Sequence, residues 1–126
     1  MLVDLAPGCS VEVDRGPNWL FVRLPRTGIA EQDDHGLADR VWSLLEQAFT
    51  HRLVLEMDEV STLPSLMIAE LMQLRSRIVE QGGVMRIAGM SDCNQDVLRE
   101  CHLSHTFPQY RDREEAVMGS RPANPR

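Results

Sequence analysis

Few stretches of this 126-residue chain hold side chains that could do chemistry. Ser65 stands at the head of an amphipathic segment, where a serine can serve as a nucleophile. That role needs a histidine–carboxylate pair and a G-x-S-x-G turn, and the run Leu63-Pro64-Ser65-Leu66-Met67 supplies neither. A serine just before a helix ordinarily caps it, accepting from backbone N–H groups that would otherwise be unpaired. Cys101, His102 and His105 put three metal-ligand types within five residues. The spacing is not that of a zinc site, and no second ligand pair accompanies it. Histidines near a helix end, where positive charge is favoured, are the simpler reading. His35 beside Asp33 and Asp34 is an equally weak cluster. Gly82-Gly83 follows a helical pattern instead of preceding one, so it stops a helix and does not cradle phosphate. No acid, base and nucleophile converge, and the expectation is a protein without enzymatic activity, metal or cofactor.

The elements that position these residues centre on Leu53 to Gly83. Leu53, Val54, Leu55 and Met57 form an apolar run too short for a helix, hence a buried strand. After the polar connection Asp58 to Thr62, the residues Met67, Leu71, Leu74 and Ile78 recur at the spacing that lines one helix face. Glu70, Gln73, Arg77 and Glu80 are assigned to the opposite, solvent side. Gly82-Gly83 ends the helix and Val84 to Ala88 is a second strand. Strand, helix, strand is a βαβ unit with parallel strands and a right-handed crossover.

Around it, Cys9 to Arg15 and Trp19 to Leu24 read as a hairpin across the Gly16-Pro17-Asn18 turn. A helix capped by Asp33 or Asp34 buries Leu37, Val41, Leu44, Leu45 and Ala48, with Phe49 anchoring its end. A third helix, capped by Ser91 or Asp92, carries Val97, Leu98 and Cys101 inward. Phe107 to Tyr110 reads as an edge strand and Asp112 to Met118 as a short last helix. Residues 1–8 read as an N-terminal extension or edge segment, 9–118 as the domain, and 119–126 as a disordered tail with nothing to bury. The fold class is α/β, a mixed sheet packed with about four helices.

Composition sets the outer bounds. The chain has one domain's length and can bury roughly two thirds of its unfolded surface without metal or disulfide. A net charge of −6, with arginines scattered along the chain, argues against a nucleic-acid partner. No run approaches the ~20 apolar residues that span a bilayer, and MLVDLAPG lacks the core of a signal peptide. The expectation is therefore a cytoplasmic protein whose three cysteines are reduced and at least half-buried. Cys93 and Cys101 sit about 12 Å apart along one helix, too far to bond to each other.

The succession VLEMDEVS, the central helix, EQGGVMRI and the closing Glu114-Glu115-Ala116 resembles the STAS domain, named for sulfate transporters and anti-sigma factor antagonists. The resemblance covers roughly Cys9 to Val117 and lies in the order of elements more than in any identical run. It implies a non-enzymatic regulatory module that binds a kinase-like anti-sigma partner, or another signalling protein, at the start of the central helix. It also implies an acidic residue, two hydroxyl residues and a glycine there, the second hydroxyl accepting phosphate. This chain departs at that place: Pro64, Ser65, Leu66 and Met67 occupy the four positions, and Leu66 has no oxygen to phosphorylate. The resemblance thus implies a docking face without its usual phosphoserine switch, with Ser65, Ser61 or Thr62 as substitute acceptors only if the register shifts. Leu66, Met67 and Ile68 span about 200° of a helix, so at least one of them must face out.

The docking face expected from these readings comprises Asp58, Ser61, Thr62, Pro64, Ser65, Leu66, Met67 and Ile68, with Met90 and Ser91 at the neighbouring strand end. Ligands of parallel sheets gather at such carboxyl ends. On this reading, replacing Met67 by Asp removes binding and leaves stability nearly unchanged. The alternative is a structural or assembly STAS subunit of a larger transport or signalling complex.

Overall fold

A computed structural model describes residues 2–6, 9–24, 37–60, 62–63 and 65–119. The order is β1 (Leu2–Ala6), β2 (Cys9–Arg15), β3 (Leu20–Arg23), α1 (Leu37–Ala48), β4 (Arg52–Glu56), α2 (Ser65–Glu80), β5 (Val84–Ala88), α3 (Asp92–Glu100), β6 (Gln109–Tyr110) and α4 (Arg113–Met118). The six strands form one sheet in chain order. β1, β2 and β3 pair antiparallel, while β3, β4, β5 and β6 run parallel. This is the mixed α/β sheet expected, with β1 added as an edge strand.

β4 is buried on both faces because both are covered. Leu53, Leu55 and Met57 pack with Val41 and Leu45 of α1, Leu71 and Leu74 of α2, and Leu98 of α3. Val54 turns the other way, toward Trp19, Ala88, Tyr110 and Ala116 of α4. The absence of alternation in this strand records these two layers.

The turn after α2 uses two glycines differently. Gly82 adopts φ 75°, a backbone conformation that a Cβ makes costly. At Gly83 a Cβ would lie 2.1 Å from the His51 carbonyl oxygen. That close approach lets Val84 N donate to the same oxygen at 2.9 Å and start the β4–β5 ladder. α3 and α4 are capped as their sequences suggest. The Ser91 hydroxyl accepts from Asn94 N at 3.2 Å, and the Asp112 carboxylate accepts from Glu115 N at 3.0 Å.

Several expectations are corrected. Phe49 does not anchor α1; it is 94% exposed, because the chain enters the left-handed region there and swings the ring outward. Glu70 is not on the solvent face of α2. It is buried at the contact with α1, where its Oε1 accepts from Ala38 N at 2.8 Å. Cys93 and Cys101 are exposed, since α3 turns Asn94 and Leu98 inward and has ended by Cys101. The expected caps Asp33 and Asp34, and the tail beyond Gly119, lie outside the described residues.

Candidate docking surface at the front of α2

The described residues between β4 and α2 are held by specific contacts. Val60 N donates to Met57 O at 3.0 Å, and Val60 and Leu63 are buried. Asn94, buried at the start of α3, donates from Nδ2 to Val60 O at 3.1 Å. A side-chain amide lost from water is stable only with a partner, so this bond fixes Val60 against α3. The first turn of α2 therefore emerges at one defined place, the carboxyl end of β4.

Within that turn the three apolar residues separate by rotation. Leu66 is 42% exposed, Ile68 is half-buried, and Met67 is 2% exposed and part of the main core. Thr62 and Ser65 are exposed. Ser65 is the first residue of the helix itself, not the residue before it. The surface-exposed lip is thus Thr62, Ser65, Leu66 and part of Ile68.

Two expected members of this face belong to the interior. Met67 faces Leu71 and Leu74 because it shares their helical stripe, and Met90 is only 5% exposed. Replacing Met67 by Asp would place a charge in the core, so the expectation of unchanged stability is withdrawn. Ser91 is exposed, with its hydroxyl engaged as the α3 cap. Asp58 is exposed, its Oδ1 lying 3.4 Å from Arg23 Nε. Ser61 and Pro64 lie outside the described residues.

Asp58 borders a second polar feature that sequence reasoning missed. Glu56 is 5% exposed inside an apolar strand, and Arg113 of α4 grips it with two hydrogen bonds, Nε to Oε2 at 2.9 Å and Nη2 to Oε1 at 2.7 Å. Arg113 Nη2 also reaches Asp14 Oδ2 at 3.2 Å, and the guanidinium lies 4.5 Å from the Phe21 ring centroid. Two parallel N–H···O bonds to one carboxylate are the strong form of such a pair. The hydrogen bonds it donates to Glu56 hold the Arg113 guanidinium above its ordinary pKa, against the opposing effect of burial. The only signal in the sequence was a single carboxylate in the run LVLEM. Its polar atoms are committed to one another, so the cluster fastens α4 to the sheet.

Among the described residues no three His, Cys, Asp or Glu side chains converge on a metal position. Cys101, His102 and His105 are all exposed. Among those residues, too, no helix is long and apolar enough to cross a membrane.

The fold is that of a STAS-like domain. TM1081 of Thermotoga maritima has a TM-score of 0.73 and 13% identity, covering 86% of this chain and 92% of that one. An anti-sigma-factor antagonist (STAS) domain protein from Planctomyces limnophilus has a TM-score of 0.71 and 19% identity, covering 86% and 96%. The anti-sigma factor antagonist SpoIIAA in its unphosphorylated form has a TM-score of 0.61 and 14% identity, covering 87% and 97%. At these identities the likeness is one of fold. No family model and no curated protein matches the sequence.

Proposed function

We propose that this chain is a non-enzymatic regulatory module that binds an anti-sigma-factor or kinase-like signalling protein through the front of α2, without a phosphoserine switch. The observation that supports it is Leu66, 42% exposed beside buried Met67 and half-buried Ile68. An apolar side chain held out on a fixed helix turn, rimmed by Thr62 and Ser65, suits a protein contact. Leu66 also stands where the STAS pattern has its acceptor hydroxyl. A phosphate adds close to two negative charges and can repel a docked partner, and leucine cannot carry one.

Affinity capture of the full chain from its native cell, read by mass spectrometry, tests this directly. The wild type retains an anti-sigma-factor or kinase-like protein and Leu66→Asp loses it, with both variants equally folded. Retention by Leu66→Asp would overturn the reading. The second reading, an assembly subunit of a larger transport or signalling complex, is favoured by the same missing hydroxyl. It would show instead as co-elution of many copies at high mass, with transport or scaffold components captured.

A further inference from the structure

The end of α1 combines two unfavourable features. Phe49 has φ 56°, a left-handed conformation that sterics disfavour for a bulky side chain and that helix ends usually give to glycine. Thr50 N donates back to Leu45 O at 3.2 Å, so the turn is held. The ring recovers nothing inside the molecule, being 94% exposed.

Phe49 itself lines a partly open cavity of about 110 Å³, together with Gly16, Pro17, Trp19 and Ala48 and, on its polar side, Arg15, Asn18 and Thr50. A cavity on the order of 150 Å³ encloses a benzene molecule, so an opening of this size accepts the edge of a phenyl ring. Knob and hole therefore share one edge of the protein. That arrangement fits a two-fold contact, in which the same patch serves both copies and each ring enters the other's hole.

Charge follows the same pattern. Glu46 is exposed and has no ion pair among the described residues, while Arg15 and Arg52 are exposed at the same end. A two-fold axis through the patch sets the acid of one copy against the arginines of the other. We infer that this chain pairs with a second copy of itself through Phe49 and the Gly16–Trp19 turn. The patch lies at the amino end of β4, roughly 16 Å of strand away from the front of α2. Both copies keep their α2 surfaces free, so the pairing is independent of the function proposed above.

A contact made by one ring and one turn from each copy falls short of the ~800 Å² per partner of a stable complex, so the expected dimer is weak, with a Kd of about 10–100 µM. Sedimentation of the full chain between about 5 and about 500 µM brackets that range. The wild-type mass should rise from one chain to two and stop. Phe49→Gly should stay a single chain throughout. It should also melt about 2–4 °C higher, because glycine relieves the backbone at φ 56° and removes no buried contact. Pro17→Glu, which obstructs the hole and keeps the ring, should likewise stay single. A wild type that remains one chain at the highest concentration overturns the inference, as does Phe49→Gly dimerising like the wild type. Mass that grows past two chains without limit overturns the two-fold form.

Discussion

Leu66, Met67 and Glu70 lie within two helical turns and do three different things. Leu66 is available to a partner, Met67 fills the core, and Glu70 binds the backbone of another helix. Replacing Leu66 by Asp should shift folding free energy by less than about 0.5 kcal/mol, as exposed sites usually do. Replacing Met67 by Ala should cost about 2–5 kcal/mol, the range for a buried methionine in a packed core. Urea unfolding of both variants checks the pair, and a stable Met67→Ala would mean that the stripe is misassigned. The sequence made the stripe Met67, Leu71, Leu74, Ile78 readable through its spacing alone. Glu70 was misplaced because its helix position borders that stripe, and charge was read as exposure. The N–H it satisfies belongs to a helix 32 residues away, and nothing local announces that need.

α1 and α2 are coupled by that same carboxylate and by Arg77, which pairs with Asp39 and lies 4.8 Å from the Trp42 ring centroid. Removing Glu70 leaves a buried donor at the start of α1 unpaired. Glu70→Ala should therefore cost about 1–3 kcal/mol and speed amide hydrogen exchange in the first turn of α1. Unchanged exchange there would show that another acceptor serves Ala38. Gly83→Ala should be more damaging, since its Cβ would meet backbone at 2.1 Å and separate β5 from β4. The existence and type of the central elements were legible because each has a clear period or a glycine stop. β1 carried a weaker signal, and its place as an edge strand beside β2 depends on pairing across the chain. Phe49 was read as an anchor because aromatic residues usually bury; only the backbone turn reveals that it points outward.

As a whole, the molecule is a sheet with α1, α2 and α3 on one face and α4 on the other, and the two surfaces proposed for interaction sit at opposite ends of β4. The proposed lack of a phosphoserine switch is tested on the assembled protein. Incubation with a cognate kinase, read by intact mass, should leave the mass unchanged; one stoichiometric phosphate on Ser65 would end that claim. The architecture was legible in the order of elements, and the exposure of the residues expected to form a docking face only in outline. Thr62, Ser65 and Leu66 are exposed as expected, but Met67 and Met90 are interior, because strand ends and first helix turns are sorted by packing that no single period encodes.

The Glu56–Arg113 pair joins residues 57 positions apart, and Arg113 reaches Asp14 across 99. The central strand thus leaves the ribosome with Arg23, 3.6 Å away in the finished fold, as the cation for its carboxylate, while the arginine that grips it with two hydrogen bonds is synthesised much later. Until that arginine emerges, the carboxylate lacks the two hydrogen bonds that satisfy it in the closed sheet. A nascent chain stalled before Arg113 emerges should stay protease-sensitive, whereas one extended by a linker so that Met118 clears the ribosome should resist, the outcome expected if the final helix gates co-translational folding.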